Sequence, residues 1–363
     1  MFNKEQIVIS AAKQGTLHEM CQDVFARIDS KRALKISFFG LPQDNKEYLT
    51  TNREFHKAVK EYFGENAPLV SYIAQKSSSP TLIAEITYLA DSDATVTHHS
   101  RYKVLERGEA KEIITEGIIP CDINASTFEQ AKDIFVAIEN ILTSEGFQIS
   151  DIYRQWNYIE EITIKEGESQ HYQEFNDARS IFYGKAKWCN GYPAATGIGT
   201  KRGGIMIELY AIKGSTATNK PIDNPMQIAA HNYSQNVLEG IAAQELQERT
   251  TPKFERARIL GNTIYISGTA AIKGEDSVTT TSTVEQAHTT MEIMDKLISK
   301  ENIPAPNNGA TYDLLRIYVK NEEHIEAVKE YMNTHYPAVP KHYLVSDICR
   351  PELLIEIEGV AHI

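Results

Sequence analysis

Two glutamates near the C-terminus, Glu356 and Glu358, lie two residues apart in a segment where apolar and polar residues alternate. This period of two predicts a β-strand that places both carboxylates on one face and Leu353, Ile355 and Ile357 on the other. If another part of the chain covers the acidic face, a carboxyl there loses contact with water, which raises its pKa and suits a general acid. If that face stays in solvent, the two glutamates are ordinary residues of a strand surface.

The strand with these glutamates closes a pattern that the chain contains twice. Each copy begins with Ser-Thr-X-Glu-Gln, at residues 126–130 and 282–286, a sequence that caps the start of a helix. A short strand with an arginine, a second helical segment and a strand with Glu208 or Glu356 then follow in the same order. A repeat of this size indicates a duplicated domain, because the repeats of a solenoid are only about 20–50 residues long.

Each copy consists of strands, helix, strand, helix and strands, which predicts an α+β sandwich with the helices on one face of a mixed sheet. We expect an N-terminal domain over residues 1–220, a linker over 221–252 with a short helix at about 236–247, and a C-terminal domain over 253–363. Glu356 then points away from the helices, towards a cleft between the two units. The expected helices are 52–63, 126–144, 172–183, 282–300 and 324–336, and the expected strands include 33–39, 82–88, 95–105, 112–119, 254–259 and 263–268.

The composition is that of an ordinary globular protein, with 363 residues, 42% hydrophobic and 24% charged. A net charge of −12 and the absence of a basic stripe argue against nucleic-acid binding. No apolar run approaches the length of a membrane span, and the first twenty residues lack the apolar core of a signal peptide. The four cysteines, at positions 21, 121, 189 and 349, are far apart, which predicts reduced thiols in a cytoplasmic protein and no zinc site.

Several segments resemble known families. Residues 261–268 and 354–358 look like the start and the end of the YjgF/RidA fold. The chain as a whole resembles the FkbO-like chorismatases, which fuse two such units. The matching segments are Arg154–Tyr158, Tyr172 with Phe175, Asn176 and Arg179, Tyr192–Gly199, Asp223–Pro225 with Gln227, Ser267–Ala270, Gly274–Ser277 and Asp347–Arg350. The resemblance covers roughly residues 120–363, and little before residue 120 contributes to it.

The resemblance implies cleavage of chorismate to pyruvate and a ring product, without a metal or an organic cofactor. Chorismate carries an enolpyruvyl ether, whose cleavage begins when an acid protonates the terminal methylene carbon. Protonation of carbon requires a carboxylic acid that stays neutral at working pH, and a buried glutamate meets that requirement. Glu356 is the candidate by its match to the family's catalytic glutamate, and Glu358 is the second choice.

The two carboxylates of chorismate call for arginines, which bind carboxylates in a bidentate manner. The candidate substrate-binding residues are Arg154, Arg179 and Arg316, together with Asn157, Tyr158, Thr196 and Tyr343. Each has a structural alternative: Arg154 and Arg316 recur in both copies and fit ion pairs at strand ends, Arg179 fits a solvated helix surface, and Tyr158 fits the edge of a core.

Cys349 bears on the product, since it precedes Glu356 by seven residues. In the family, a cysteine at this place accompanies the branch that makes 3-hydroxybenzoate by internal displacement and aromatisation. We therefore count Cys349 with the catalytic residues and expect a hydroxybenzoate product. The alternative is that Cys349 is a small buried apolar residue.

Two other functions remain open at this stage. One is an enamine or imine deaminase, the activity of single-unit relatives, although those use an arginine about where Tyr343 stands here. The other is a small-ligand-binding protein without catalysis. The resemblance allows a monomer or a small homo-oligomer, since single-unit relatives form trimers with sites between subunits.

Overall fold

The structure is a computed structural model that describes residues 1–241, 246–303 and 309–363. Its six α-helices within these ranges are α1 (Leu17–Phe25), α2 (Asn45–Phe63), α3 (Thr127–Ser144), α4 (His171–Tyr183), α5 (Thr283–Leu297) and α6 (Ile325–His335). Short 3-10 helices cover Gly64–Asn66, Ile149–Asp151, Ala230–Asn232, Gln235–Val237 and Glu322–His324. None of the described helices is long and apolar enough to cross a membrane.

The N-terminal residues form a four-stranded sheet of their own, which the sequence did not predict. Its strands are β1 (Lys4–Ser10), β2 (Ala33–Phe39), β3 (Leu69–Ile73) and β5 (Ile83–Leu89), in the order β1-β5-β2-β3. The short strand β4 (Lys76–Ser77) leaves this sheet and joins the edge of the C-terminal one. Helix α2 begins seven residues before the predicted start at 52, because Asp44 caps it by accepting a hydrogen bond from the Glu47 amide.

The middle of the chain forms a six-stranded sheet in the order β12-β9-β13-β8-β7-β6. Its strands are β6 (Thr95–His98), β7 (Tyr102–Arg107), β8 (Ala110–Thr115), β9 (Ile152–Glu160), β12 (Ala194–Thr200) and β13 (Ile205–Lys213), and a small ribbon is made by β10 (Lys165–Glu166) and β11 (Ser169–Gln170). The single strand predicted at 95–105 is wrong, because the chain turns between β6 and β7 and the two strands pair with each other.

The C-terminal part forms a seven-stranded sheet in the order β14-β15-β16-β21-β19-β20-β4. Its own strands are β14 (Asn219–Ile222), β15 (Ala257–Leu260), β16 (Thr263–Ala270), β19 (Thr311–Val319), β20 (Lys341–Val345) and β21 (Ile355–His362), with a ribbon of β17 (Ile272–Lys273) and β18 (Asp276–Ser277). Part of the helix predicted at about 236–247 lies outside the described residues, and the described part holds only the end of the 3-10 helix Gln235–Val237.

The three large sheets share one arrangement of strands. In each, a parallel pair (β2 with β3, β9 with β12, β19 with β20) is joined to an antiparallel strand (β5, β13 or β21), which pairs in turn with β1, β8 or β16. The predicted α+β class with helices beside mixed sheets is confirmed. Residues 4–89 add a third sheet of the same kind, so the repeat occurs three times rather than twice.

Each sheet packs one face against its own two helices. Ile355 and Ile357 of β21 are fully buried in the core that contains residues of α5 and α6. The opposite faces of all three sheets meet in a central core that includes Phe39, Trp156 and Tyr318. The acidic face of β21 is therefore covered by other parts of the chain, as the first of the two sequence interpretations requires.

The two helix starts that define the repeat have the predicted caps. The Ser126 hydroxyl accepts a hydrogen bond from the Glu129 amide at 3.3 Å, and the Ser282 hydroxyl accepts one from the Glu285 amide at 3.2 Å. These bonds satisfy amide groups that have no partner inside the helix, which fixes the first turns of α3 and α5.

Candidate active site

Equivalent strands of the three sheets carry equivalent charged positions. In each unit, the strand of the parallel pair that also pairs with β5, β13 or β21 (β2, β9 or β19) has a basic residue, Lys35, Arg154 or Arg316, that faces the centre of the molecule. Two residues further on, the register places Ser37 opposite Glu85, Trp156 opposite Glu208 and Tyr318 opposite Glu356. All three glutamates are buried. Glu208 and Glu356 correspond as the sequence repeat predicts, and Glu85 is their counterpart in the N-terminal sheet.

At two of the three contacts between sheets, the basic residue of one sheet binds the glutamate of another. The Lys35 ammonium lies 2.6 Å from Glu208, and the Arg316 guanidinium lies 2.7 Å from Glu85. Both pairs are almost completely buried. Each of these two glutamates is thus engaged in a buried ion pair with a basic residue of the neighbouring sheet.

The third contact departs from this rule. Arg154 forms its ion pair with Glu358 and not with Glu356. The carboxylate of Glu358 also accepts hydrogen bonds from Arg316 (2.7 Å), Trp156 (2.9 Å), Tyr318 (2.7 Å) and Thr196. Burial opposes ionisation of Glu358, but the charges of Arg316 and Arg154 outweigh it, so the pKa of Glu358 lies below its ordinary value.

Glu356 is buried, with 4% of its surface exposed, and within the described chain its carboxyl has no ion pair and no hydrogen bond. Burial first, and then the negative charge of Glu358, raise its pKa to about 8, against a smaller opposing effect of Arg154. At neutral pH this carboxyl is therefore mostly protonated. Glu356 has the property that carbon protonation requires, whereas Glu358 is an anion held by several donors.

A glycine makes room for the Glu356 side chain. A Cβ atom at position 268 of β16 would overlap Oε1 of Glu356. The Gly268 amide donates to the Thr196 hydroxyl at 3.1 Å, so the two strands on either side of the acid are tied together. Any larger residue at 268 would displace the carboxyl from its position.

Glu356 faces a cavity of about 370 Å³ between the middle and C-terminal sheets. The wall consists of residues from α4 and β12, from β16 and β21, from the segment before β21, and from the chain that links the two sheets. The polar and aromatic residues in this wall are Gln170, Tyr172, Gln173, Asn176, Tyr233, Asn236, Glu239, Phe254, Arg256, Asp276, Ser277, Thr279, Cys349, Arg350, Glu352 and Glu356. The predicted cleft between two units is thus present, with Glu356 in its wall.

Two arginines of the cavity wall have no carboxylate at ion-pair distance within the described chain. Arg256 is buried and donates to the Ile228 carbonyl and the Tyr233 hydroxyl, each at 2.6 Å. Arg350 donates to the Glu275 backbone carbonyl at 2.9 Å and the Ser277 hydroxyl at 3.0 Å. Two guanidinium groups whose bonds go to uncharged oxygen atoms give the cavity an affinity for anions.

Neither arginine was among the residues chosen from the sequence. Arg350 lies in the Asp347–Arg350 segment that carries the family resemblance, so its position next to Cys349 could have indicated it. Arg256 stands just before β15, outside every motif, and only the packing of the linking segment against that strand brings it into the wall.

Cys349 lies in the same cavity wall. Burial first, and then the neighbouring Glu356, raise the pKa of its thiol to about 12. The thiol is therefore neutral at physiological pH and unsuited to nucleophilic attack. What Cys349 can contribute is a compact, weakly polar surface beside the acid.

The other residues chosen from the sequence do not line the cavity. Arg154 and Thr196 belong to the Glu358 cluster next to it. Arg316 binds Glu85 and Glu358 and also donates to the Tyr158 hydroxyl at 3.0 Å, so both residues serve the central charge cluster. Arg154 and Arg316 thus form buried ion pairs, which lie inside their strands and not at the strand ends.

The last three of these residues lie on the helix side of their strands or in a helix. Asn157 donates to the Thr196 carbonyl at 3.0 Å, and Tyr343 packs in the core beneath α6. Arg179 of α4 is buried, not solvated, and donates at 2.5 Å to Asn176, whose side chain reaches the cavity. Of the three, Arg179 is the one with a connection to the cavity wall.

The raised pKa of Glu356 has a consequence for stability. The ordinary pKa of 4.5 applies when the chain unfolds, so between pH 4.5 and about 8 the unfolded chain releases a proton that the folded chain retains. The free energy of unfolding therefore falls as the pH rises through this range. Glu356→Gln removes the effect, and we expect the variant to be more stable than the parent at pH 8 by about 1–3 kcal/mol and equal to it near pH 4.5.

Urea unfolding at the two pH values measures this difference. Glu208→Gln is the matched control, since it removes a buried carboxylate that is ion-paired and should lower the free energy of unfolding at pH 8. A Glu356→Gln variant that is less stable than the parent at pH 8 would contradict the raised pKa.

No cluster of three or more His, Cys, Asp or Glu residues that could hold a metal ion occurs in residues 1–241, 246–303 and 309–363. Two acidic residues of the cavity wall have partners of their own. Glu239 forms an ion pair with Lys165 at 2.8 Å, and the Glu352 carboxylate accepts a hydrogen bond from the Ser277 hydroxyl.

Comparison with known proteins gives concordant results. Residues 88–211 match the family model described as chorismatase FkbO/Hyg5-like, N-terminal. A 3-hydroxybenzoate synthase of Streptomyces hygroscopicus is 28% identical over 277 residues, which cover 74% of this chain and 79% of that protein. A chorismatase of the same organism is 28% identical over 240 residues, covering 62% of this chain and 65% of that protein.

A solved chorismatase structure has the same fold, with a TM-score of 0.73 over 99% of this chain and 98% of that one, at 19% identity. The residues that match the family model span the middle sheet, whereas the structural similarity extends over all three sheets. The chain is thus similar in sequence, over part of its length, to the FkbO/Hyg5-like chorismatases, and similar in fold, over nearly all of it, to a solved chorismatase.

Proposed function

We propose that this protein cleaves chorismate into pyruvate and a ring product, with Glu356 as the acid that starts the reaction. The observation that carries the proposal is a buried carboxyl with a pKa of about 8 that faces a cavity containing Arg256 and Arg350. A neutral acid in a cavity that also presents cationic groups suits a substrate that is itself anionic and must be protonated on carbon. The names of the relatives support the same substrate.

The first step is transfer of the Glu356 proton to the terminal methylene carbon of the enolpyruvyl ether. The π electrons of the double bond form the new C–H bond, and the carbon that bears the ether oxygen becomes an oxocarbenium ion. The ionised Glu358 nearby favours this cation electrostatically, since it adds negative charge where positive charge develops. The bond between the ring carbon and the ether oxygen then breaks, and pyruvate departs with that oxygen.

Chorismate is a dicarboxylate, and the two cavity arginines provide for two carboxylates. Arg256 and Arg350 each lie within reach of the Tyr233 ring, at 5.4 Å and 5.5 Å from its centroid, so this tyrosine holds both guanidinium groups on one side of the cavity. The cavity volume of about 370 Å³ is within the range of small-molecule sites. Tyr172, Gln173 and Asn176 of α4 line the cavity and can bind a ring hydroxyl.

For the ring product we propose 3-hydroxybenzoate. In this branch a ring oxygen of chorismate displaces pyruvate and the ring then aromatises, so the atoms of chorismate equal those of pyruvate plus hydroxybenzoate and no water is consumed. Hydrolysis to a dihydroxycyclohexadiene carboxylate consumes one molecule of water instead. Support for the first branch comes from the neutral thiol of Cys349 beside the acid and from the named activity of the 3-hydroxybenzoate synthase relative.

A deaminase has less support. Single-unit relatives with that activity place an arginine about where Tyr343 stands, and Tyr343 packs on the helix side of the sheet, away from the cavity.

The purified protein is expected to consume chorismate and to release one pyruvate for each hydroxybenzoate, without added metal. Pyruvate is measured with lactate dehydrogenase and the ring product by chromatography against authentic hydroxybenzoates. A dihydroxycyclohexadiene carboxylate would overturn the proposed product but retain the proposed reaction. No consumption of chorismate, with ammonia released from an enamine substrate, would replace the reaction by deamination.

A further inference from the structure

The three equivalent glutamates differ in one respect that the known chemistry does not explain. Glu208 and Glu85 are each bound by the basic residue of a neighbouring sheet, Lys35 and Arg316. Glu356 occupies the same position, and Arg154 is the basic residue that corresponds to its partner. Arg154 instead binds Glu358, which follows Glu356 by two residues on β21.

The residue at the position of Glu358 accounts for the difference. In the register of the sheets, Thr87 lies opposite Lys35, Tyr210 lies opposite Arg154, and Glu358 lies opposite Arg316. Thr87 and Tyr210 have no carboxyl group, so each of these two strands, β5 and β13, presents a single carboxylate, Glu85 or Glu208, to the basic residue of the neighbouring sheet. In β21 there are two carboxylates, and Arg154 takes the one with more hydrogen-bond donors around it.

We propose that Glu358 is a positioning residue that diverts Arg154 from Glu356 and thereby converts a structural ion-pair position into a catalytic acid. The inference rests on the proposed role of Glu356 in proton transfer. Glu358 has two effects. It occupies the basic residue that corresponds to those bound by glutamates at the other two contacts, and it places its own negative charge on the same strand face as Glu356.

The geometry of the cluster makes Glu358 stay ionised while Glu356 does not. Glu358 has two guanidinium partners and three neutral donors, so its charge is compensated within the buried site. Arg316 keeps Glu85 as a second partner and is therefore anchored on both sides. The position of Arg154 is fixed further by its bond to the Thr196 hydroxyl at 2.9 Å and by the Trp156 ring, 4.3 Å from its guanidinium carbon.

The remaining groups around Glu356 do not replace this effect. From its own strand and the segment before it come Glu358 and the neutral Cys349, and from β9 comes Arg154. Helix α4 contributes Tyr172, whose pKa is raised by burial first and by Cys349 next, so it is uncharged. Strand β16 contributes Gly268, which has no side chain. Arg256, Arg350 and Glu352 line the same cavity, but the charges that shift the pKa of Glu356 are those of Glu358 and Arg154, the pair on which the proposal depends.

The test is the pH dependence of Glu358→Gln. Without the charge at 358, Arg154 can pair with Glu356, as the basic residues do at the other two contacts, and the acid becomes ionised at lower pH. We expect the upper limit of the kcat/KM profile for chorismate to move down by about one pH unit or more, so activity at pH 8 falls at least about fivefold and recovers partly on acidification. The double variant Glu358→Gln with Arg154→Met removes the competing cation as well, and its upper limit should return towards that of the parent.

The matched control is Glu85→Gln, which breaks an equally buried ion pair of Arg316 and should lower the melting temperature without moving the pH profile. The carboxyl of Glu356 is titrated directly by infrared difference spectroscopy with isotope-labelled glutamate, using Glu356→Gln to assign its band. This readout needs no substrate, so it tests the inference even if chorismate is not turned over. Equal loss of activity at all pH values, with the Glu356 titration unchanged in Glu358→Gln, would show a merely structural role and overturn the proposal.

Discussion

Glu356→Gln is expected to lower kcat for chorismate cleavage by about 10²- to 10⁴-fold, the range that a positioned general acid contributes. The amide has nearly the shape of the protonated carboxyl and adds no charge, so the cavity and the Glu358 cluster should remain intact. Since Gln has no acidic proton to give to the methylene carbon, the loss should appear in kcat while KM changes little. Steady-state kinetics from pyruvate release measures both parameters.

Glu208→Gln is the control that distinguishes the three equivalent positions. Glu208 lies in the same register on β13 as Glu356 on β21, but its partner is Lys35 and the cavity is formed elsewhere. The variant leaves Lys35 buried without a partner, which should cost about 3–5 kcal/mol in the free energy of unfolding. If it does not fold, the double variant Glu208→Gln with Lys35→Met removes the unpaired charge.

We expect the Glu208 variant that folds to retain kcat within a few-fold of the parent, because the proposed catalytic site lies between the middle and C-terminal sheets and does not include Glu208. Comparable losses of kcat in the Glu208 and Glu356 variants would mean that the acid had been assigned to the wrong copy of the repeat.

The fold could be predicted from the sequence in those parts where local signals are strong. The caps at Ser126 and Ser282 and the alternation around Glu356 are local, and the helices and the strand that follow from them are where the sequence predicts them. The N-terminal part carries a weaker signal, because its first helix begins at a Thr16–Glu19 capping box that does not repeat the Ser-Thr-X-Glu-Gln sequence. Its strands β2, β3 and β5 are buried on both faces and therefore show no alternation of apolar and polar residues. Its membership in the same repeat is visible only in the pairing of β1, β2, β3 and β5.

In the candidate site, too, some residues could be predicted from the sequence and others could not. Glu356 was accessible to sequence reasoning, because the strand pattern and the repeat both point to it. The substrate-binding arginines could not be chosen from the sequence in this way. Arg154 and Arg316 satisfy the expectation of a basic residue near the acid, but they form ion pairs with Glu358 and Glu85. Whether an arginine forms an ion pair depends on contacts between sheets, whose residues lie far apart in sequence. Arg154 and Glu358 are separated by 204 positions, and no local sequence pattern predicts such a contact.

Arg256→Met is expected to raise KM for chorismate by about 10- to 100-fold, the value of one or two charge-assisted hydrogen bonds to a carboxylate. The guanidinium of Arg256 is buried in the cavity wall, its Nε atom has no partner, and its described bonds go to a carbonyl and a hydroxyl. A buried cation in that state costs free energy in the empty protein and recovers it when an anion binds. Methionine keeps most of the volume, so we expect the melting temperature to stay the same or to rise.

Arg258→Met provides the contrast two residues further along the chain. Arg258 is also buried, but it donates to the Asn219 side chain at 2.6 Å and to the Tyr192 carbonyl at 2.7 Å, and it has no part in the cavity wall. Its loss should lower the melting temperature and leave KM unchanged, the reverse of the Arg256 result. If Arg256→Met lowered stability and left KM alone, Arg256 would be a structural residue like Arg258, and Arg350 would have to bind the carboxylates of the substrate without it. A rise of KM in Arg256→Met and not in Arg258→Met would thus locate the anion-binding wall without a bound ligand, because only the loss of an arginine that binds the substrate weakens substrate binding.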